Sequence, residues 1–172
     1  MKFGGSSVGG VEALRNVVGL IKNYGSKNDV VVVTSAINGV TNSLIQAATR
    51  ASQRDEGHAA EVTAQLRTKH ENVCKQVITT AGEFKRTMAR LDLELGELGK
   101  ALTGISYLGE LTPRSQDYVA SFGEKLSSLV LAGALHDSGV NAQRLTGEEV
   151  GIVTDASFGE ATPLMDITRE KV

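Results

Sequence analysis

Apolar and polar residues in the first fifty positions follow a pattern typical of alternating strands and helices. A short strand candidate, Met1 to Phe3, ends at two glycines, and apolar residues then recur at helical spacing from Val11 to Ile21. The β-branched run 30–33 follows, and such a run is typical of a strand buried on both faces of a parallel sheet. A polar loop and a second helix, from about Thr41 to Ser52, come next. This order predicts an α/β fold with a mostly parallel sheet.

The region 56–110 is predicted to be a helical side lobe, because charged residues are frequent there and β-branched residues are not clustered. Breaks near Gly82 and around 104–109 would divide it into two or three helices. One apolar stripe comprises Val62, Leu66, Val73 and Val77, and a second comprises Phe84, Met88, Leu91, Leu95, Leu98 and Leu102. The second stripe is expected to be plain core or a subunit interface.

A long helix is predicted in the last third of the chain, from about Arg114 to His136. Pro113 suits its first turn, and Gly139 follows its end. Its apolar face is expected to hold Val119, Phe122, Leu126, Leu129 and Val130. Two short strands are predicted next, at 140–145 and 152–153. A polar loop at 154–162 and the start of a helix at 163–172 follow.

Composition limits the classes of partner. Apolar residues make up 41% of the 172, enough for a packed core, and the net charge is −2. A chain with 18 basic and 20 acidic residues offers no electrostatic footprint for nucleic acid and no polybasic membrane patch. There is no secretory signal pattern, and the apolar runs are shorter than a membrane span of about 20 residues. We therefore expect a cytoplasmic protein without nucleic-acid or membrane partners.

Cysteine and histidine chemistry is not expected to contribute to the function. Cys74 is the only cysteine, which excludes an internal disulfide and favours a reducing compartment. It is interpreted as a small apolar residue on a helix. The three histidines, His58, His70 and His136, are interpreted as surface or helix-end residues.

The segment Lys2-Phe3-Gly4-Gly5-Ser6-Ser7 is a candidate phosphate-binding turn. Glycines allow the backbone N–H groups to approach an anion closely, and the following helix adds the partial positive charge of its N-terminus. A lysine beside the turn can neutralise a phosphoryl group as charge develops during transfer. The lysine precedes the glycines, so this is not a Walker A loop. An ordinary glycine-rich turn with a solvated lysine remains open on these residues alone.

The second candidate segment, 34–42, follows the β-branched run. It groups hydroxyl and amide side chains at the start of a helix, where they could hold the carboxylate and amine of a small polar substrate. Helix capping by Thr41 or Asn42 is the plainer alternative.

The third candidate segment is Ser121 to Ser128. Gly123 inside a helix costs about 1 kcal/mol relative to alanine, so it could mark a close approach of ligand or backbone. Glu124 beside it could receive a substrate ammonium group. A solvated glutamate on a helix face is the alternative.

Together these segments resemble the aspartate kinases of the amino-acid kinase family. Residues 2–8 are similar to that family's opening K-F-G-G-T-S-V, with Ser6 in place of the threonine. Residues 31–42 resemble its strand leading into Ser-Ala and Thr-Asn, and 121–128 resemble its Ser-x-Gly-Glu-x-x-Ser helix. Residues 154–161 resemble a later loop with Thr-Asp and Phe-Gly-x-Ala. All four occur in the family's order and at similar spacing.

The resemblance implies a three-layer sandwich around a mostly parallel sheet, the amino-acid kinase fold, and a defined reaction. That reaction transfers the γ-phosphoryl group of ATP to the β-carboxylate of L-aspartate, the first step toward lysine, threonine and methionine. Mg²⁺ would accompany the ATP, without a dedicated set of protein ligands. By motif position, Lys2 would be catalytic and, with Gly4, Gly5 and Ser6, would contact ATP phosphates. The aspartate would be held by Ser35, Thr41 and Glu124, with Glu124 facing its ammonium group.

The resemblance also implies that residues 1–172 are the amino-acid-binding part of a longer kinase domain. The nucleotide lobe and the regulatory ACT domains of that family have no counterpart in this sequence, so the chain alone is expected to be inactive. We also expect a homo-oligomer. Two alternatives stay open: another amino-acid kinase, such as glutamate 5-kinase or acetylglutamate kinase, and a non-catalytic module that binds aspartate or assembles.

Overall fold

The secondary structure consists of two short strands and seven helices. The structure, a computed structural model, describes the backbone of all 172 residues and every side chain except that of Glu56. The strands are β1 (Lys2–Phe3) and β2 (Val33–Thr34). The helices are α1 (Gly5–Val8), α2 (Val11–Gly25), α3 (Val40–Ser52), α4 (Glu56–Val77), α5 (Ala81–Leu108), α6 (Pro113–Asp137) and α7 (Met165–Lys171). Among the described residues, none of these helices has the length and hydropathy needed to cross a lipid bilayer.

Strands β1 and β2 pair in parallel, with Lys2 opposite Val33 and Phe3 opposite Thr34. The expected order of strand, helix, strand and helix is therefore observed, with α1 and α2 forming the connection between the two strands. The prediction that run 30–33 is buried on both faces is wrong, because the side chains of Val31 and Val33 are 79% and 56% exposed. Val32, which points the other way, packs against the core. In the described residues, core packing thus covers one face of this run.

Helices α4, α5 and α6 pack against one another and form most of the core. The second apolar stripe lies inside this chain, since its members from Met88 to Leu102 are buried. The predicted break around 104–109 is confirmed at its last residue, Gly109, whereas the break near Gly82 lies a few residues earlier, at 78–80, so that Gly82 and Gly104 are within α5. Each of these glycines costs about 1 kcal/mol in a helix, which the buried leucine stripe outweighs. Helix α5 ends at Gly109, whose positive φ of 69° favours glycine.

Asp137 joins the end of α6 to the start of α5. Its carboxylate accepts hydrogen bonds from the backbone N–H groups of Thr79 and Thr80, at 2.7 and 2.9 Å, and from both threonine hydroxyls, at 2.8 and 2.6 Å. Burial opposes the charged form, but these four donors prevail and lower the pKa of Asp137 to about 2. The carboxylate therefore satisfies N–H groups at the α5 N-terminus that no side chain of that helix caps.

The long helix of the last third is confirmed as α6, and its predicted apolar face is buried throughout. The two strands predicted at 140–145 and 152–153 are wrong. Residues 140–145 bond to helices instead: the Ala142 carbonyl lies 2.6 Å from Nε2 of His136, and Arg144 donates to Glu94 at 3.1 Å. Beside 152–153 the described residues form only an isolated antiparallel bridge, between Thr154 and Pro163. The predicted helix start in the tail is confirmed as α7.

His70 lies in the core of the molecule, and its interpretation as a surface or helix-end residue is wrong. Its side chain is fully buried in the middle of α4, where Nδ1 lies 2.7 Å from the Leu66 carbonyl. The Nε2 atom has no hydrogen-bond partner among the described residues. Burial disfavours the charged ring and thereby lowers the pKa of His70. Cys74, one turn later, is buried as expected, and burial raises the pKa of its thiol to about 12.

We expect folding stability to fall as the pH drops below about 6.5, the ordinary pKa of histidine. The folded-state pKa of His70 is lowered, so below that pH the unfolded chain binds the proton and the folded chain resists it. The stability that the neutral ring contributes is complete above the pKa of His70 in the unfolded chain. It is lost as the pH falls toward the lower pKa of His70 in the folded chain. Urea midpoints at pH 7.5 and 5.5 would measure this loss.

The control is His70→Leu, which should show a clearly smaller difference between the two pH values. The pKa of Asp137 is about 2 and that of Cys74 about 12, so neither group titrates in this window in the folded chain. An equal pH dependence in both proteins would exclude His70 as its source.

Candidate active site

Two of the predicted segments meet at the carboxyl edge of the small sheet. Because β1 and β2 are parallel, the turns that leave them emerge side by side. The Ser35 N–H donates to the Phe3 carbonyl at 3.1 Å. A Cβ atom on Gly9 would lie 2.7 Å from the Gly5 carbonyl oxygen and 3.4 Å from Cβ of Asn38. Glycine at position 9 therefore permits close packing of the glycine-rich segment against the loop 35–39.

The glycine-rich segment forms a single helical turn directly after β1. Helix α1 begins at Gly5, with Gly4 in an extended conformation at the N-cap. The first N–H groups of any helix have no partner within it, so this turn presents donors to an anion. Lys2 is exposed, and its ammonium group lies 3.8 Å from the position that a Cβ on Gly4 would take. The ammonium group of Lys2, the residue predicted to be catalytic, therefore lies beside the glycines that are predicted to bind phosphate.

Helix α6 brings Glu124 to the loop 35–39. The Ala36 N–H donates to Oε1 of Glu124 at 3.2 Å. One turn later the Ser127 hydroxyl donates to the Ser35 carbonyl at 2.7 Å. Glu124 is exposed to solvent, as the plainer alternative expects, but its carboxylate is also fixed by the loop.

Gly123 makes this contact possible. A Cβ on Gly123 would lie 2.8 Å from Cβ of Ala36, a distance that real Cβ atoms essentially never show. The close approach predicted for Gly123 is thus an approach of the loop to the helix backbone. The same Cβ would lie 3.5 Å from Oγ1 of Thr41, which places the Thr41 hydroxyl on this side of α3.

Thr41 and Asn42 do not cap α3, so the alternative reading of these residues is wrong. The helix begins at Val40, and its N-cap is Gly39, with a φ of 80° and no side-chain capping bond. This left-handed conformation favours glycine and turns the chain sharply from the loop into the helix. Thr41 lies in the first helical turn and is half-buried.

The fourth segment, 154–161, docks near the start of α6. The Gly159 N–H donates to Oδ2 of Asp117 at 2.7 Å, and the Arg114 guanidinium lies 5.7 Å from the centre of the Phe158 ring. Asp155 accepts from the N–H groups of Ser157 and Thr162, and these bonds lower the pKa of its carboxyl group. The loop therefore contacts α6 about two turns before Glu124.

Two pockets lie elsewhere, among α4, α5 and α6, the three helices that are called the helical half of the molecule below. One, of about 290 Å³, lies between α5 and α6 around Glu83 and His136. The other, of about 530 Å³, lies between α4 and α5 and is lined mainly by alanine, glycine and threonine. Neither is lined by a predicted site residue, because that site is an open surface in which Lys2, Ser6 and Glu124 are exposed. Among the described residues, no group of three acidic, histidine or cysteine side chains is placed to hold a metal ion.

Two contacts to the loop 35–39 were missed by sequence reasoning. Ser127 belongs to a quoted motif, but its role was not assigned. Lys69, on α4, donates to the Asn38 carbonyl at 2.6 Å. Nothing in the sequence distinguishes Lys69 from the other lysines of a charged helix, because its acceptor is a backbone atom.

Comparison with known proteins identifies the class. A statistical model of the amino acid kinase family matches residues 1–172. The chain therefore belongs to the amino acid kinase family.

Within this family the chain is similar to aspartokinases. It is 34% identical over 159 residues to chloroplastic aspartokinase 1 of Arabidopsis thaliana, a match that covers 92% of this chain and 27% of that protein. E. coli aspartokinase III in complex with lysine and aspartate (T-state) superimposes with a TM-score of 0.80, at 23% identity over 98% of this chain and 35% of that one. The same enzyme in complex with aspartate and ADP (R-state) superimposes with a TM-score of 0.77, at 22% identity over 99% of this chain and 35% of that one. These likenesses show an amino acid kinase fold, and the chain spans about a third or less of each relative.

We predict that Gly123→Ala destabilises the chain and displaces the loop 35–39. Alanine would normally favour a helix by about 1 kcal/mol, but here its Cβ would meet Ala36 at 2.8 Å. Thermal unfolding should report a lower midpoint, and NMR should show shifted Ala36 and Glu124 signals.

Gly19→Ala is the matched control. Gly19 lies exposed in α2, and a Cβ there would meet nothing within 4 Å. This variant should be as stable as the unmodified chain or more so. If Gly123→Ala behaves like Gly19→Ala, the steric account of the helix–loop contact is wrong.

Proposed function

We propose that this chain contributes the amino-acid-binding surface of an aspartate kinase. The observation that carries the proposal is the Glu124 carboxylate, held by the Ala36 N–H beside the glycine-rich segment. An acceptor for a substrate ammonium group and a set of phosphate-binding donors thus share one edge of the sheet. The similarity to aspartokinases supports this assignment, and the E. coli structures are described as complexes with aspartate and with ADP.

The proposed reaction is an in-line transfer between two oxygens. A β-carboxylate oxygen of aspartate attacks the γ-phosphorus of ATP, the bond to the β,γ-bridging oxygen breaks, and 4-phospho-L-aspartate and ADP form. Protein groups in such reactions mainly position the reactants and neutralise charge. The N–H groups at Gly4, Gly5 and Ser6 would bind phosphate oxygens, and the Lys2 ammonium would stabilise the group in transfer.

Ser35, Thr41 and Glu124 would hold the aspartate. Their places fit this role: Ser35 follows β2, Thr41 lies in the first turn of α3 on the side that faces α6, and Glu124 lies against the loop between them. Glu124 would take the α-ammonium group, which leaves the β-carboxylate free to point toward Lys2. A charge-assisted hydrogen bond of this kind is worth roughly 1.5–3 kcal/mol.

Magnesium belongs to the proposal as the partner of ATP. Since no acidic cluster among the described residues is placed to hold a metal ion, phosphate oxygens would supply its ligands. When bound, it would neutralise charge on the β- and γ-phosphates.

The domain assignment is also part of the proposal. Residues 1–172 would be the amino-acid-binding part of a three-layer amino-acid kinase domain, with the helical insertion at about 56–110 and the nucleotide lobe and ACT domains outside this sequence. The coverage of 27–35% of the relatives' lengths supports this division. A homo-oligomer in the cytoplasm completes the proposal, although the Arabidopsis relative is described as chloroplastic.

The 172-residue chain is expected to bind aspartate without turning it over. Calorimetry should detect aspartate binding that is lost in Glu124→Gln, because the amide removes the negative charge that attracts the ammonium group. Hydroxylamine trapping after incubation with ATP, Mg²⁺ and aspartate should detect no aspartyl phosphate. Robust formation of trapped product would show that the chain carries a complete kinase site.

Lys2→Ala should weaken binding of ATP to the chain by about tenfold and binding of aspartate much less, because its ammonium group lies over the glycine-rich turn. Calorimetry with each ligand measures both effects. In an active kinase that carries these residues, the substitution should lower kcat far more than it raises KM for aspartate. Lys27→Ala, an exposed lysine after α2, is the control. A larger effect on aspartate than on ATP would remove Lys2 from its assigned role.

Two alternative functions are separated by the same measurements. Glutamate or N-acetylglutamate binding in preference to aspartate would indicate another amino-acid kinase. Aspartate binding without any ATP binding, together with self-association in light scattering, would indicate a non-catalytic binding or assembly module.

A further inference from the structure

The loop 35–39 is the part of the site on which several elements converge. The Phe3 carbonyl fixes its first residue from β1, and Ser127 and Glu124 fix Ser35 and Ala36 from α6. These contacts all reach the first half of the loop. The second half, Asn38 and Gly39, is the part that turns the chain into α3.

Lys69 holds this second half from a different element. It lies on α4, in the helical half of the molecule, and its ammonium group donates to the Asn38 carbonyl at 2.6 Å. The same nitrogen lies 3.7 Å from where a Cβ on Gly39 would be. Gly39 has the positive φ that makes the turn, so the cation is placed at the hinge between loop and helix.

Asn38 is also where the loop faces the glycine-rich segment. Its Cβ lies 3.4 Å from the Cβ position of Gly9, and the Ala36 carbonyl oxygen lies 3.7 Å from that of Gly5. The segment 36–38 therefore fills the space between the phosphate-binding turn and Glu124. A displacement of Asn38 would alter that spacing, because Ala36 is only two residues away.

An exposed lysine that contacts a surface carboxylate is usually worth little, since water and salt screen the pair. Lys75 on the same helix is of that kind, with its ammonium group 2.6 Å from Oε1 of Glu71. Lys69 differs because its acceptor is a backbone carbonyl at a defined turn. A charged donor to a backbone acceptor fixes the peptide plane as well as the position of the chain.

We propose that Lys69 is a positioning residue for the amino-acid site, which it acts on through the Asn38 peptide. This inference rests on the proposed function for its effect on aspartate, and on the structure alone for its effect on the loop. It makes the helical half of the molecule part of the site, because the position of α4 determines the position of the turn between Ser35 and Thr41.

The test is Lys69→Met, which keeps most of the side-chain length and removes the donor. Amide hydrogen exchange over residues 34–43, measured by mass spectrometry, should become about tenfold faster, while the unfolding midpoint changes little. Aspartate binding measured by calorimetry should weaken by a similar factor. Lys69→Arg should restore both, because a guanidinium can also donate to the carbonyl.

Lys75→Met is the control, since it removes an equivalent exposed lysine from α4 without touching the loop. Unchanged exchange over 34–43 in Lys69→Met, or equal changes in both methionine variants, would overturn the proposal. If exchange rises in Lys69→Met alone but the unmodified chain does not bind aspartate, Lys69 does position the loop and the proposed function fails. Rescue of exchange and binding together by Lys69→Arg would support both.

Discussion

The missing side chain at Gly123 is the constraint on which the arrangement of the site depends. Helix α6 is buried along most of its length, so its backbone is a fixed surface. Because position 123 carries no Cβ, Ala36 can lie directly on that surface. Glu124 and Ser127, which follow on the same helix, then come within hydrogen-bond distance of the loop. The steric contact between Gly123 and Ala36 thus sets the geometry of the polar groups around it.

The helices could be predicted from the sequence because their signals are local. Apolar spacing defined the start of α2 and both ends of α3 and α6 within a residue or two, and Gly139, with a φ of 84°, lies just beyond the end of α6 as expected. Glycine was a weaker guide inside α5, where Gly82 and Gly104 do not interrupt a helix stabilised by its buried stripe. The strand predictions were less successful, because a strand exists only beside a partner and residues 140–145 bond to helices.

The candidate site, too, could be predicted from the sequence only in part. Motif order placed the glycine-rich turn, the loop 35–39 and Glu124 in one region, and the structure brings all three together. Gly123 was recognisable as a close approach, but its partner was not, because only the fold brings residues 36 and 123 together. Lys69 was not predictable, since a backbone carbonyl acceptor leaves no mark in the sequence. The burial of His70 did have a signal in the sequence: it lies four residues after Leu66 and three before Val73, on the first apolar stripe.

The environment of Cys74 makes it a natural reporter of motion in the core. Its thiol is fully buried, and a pKa of about 12 leaves almost no thiolate at neutral pH. Thiol reagents can therefore modify the chain only when α4 separates from the helices around it. Because it is the only cysteine, the modification rate has a single source. That rate would measure how often the helical half opens, a quantity that the loop-exchange and ligand-binding experiments do not report.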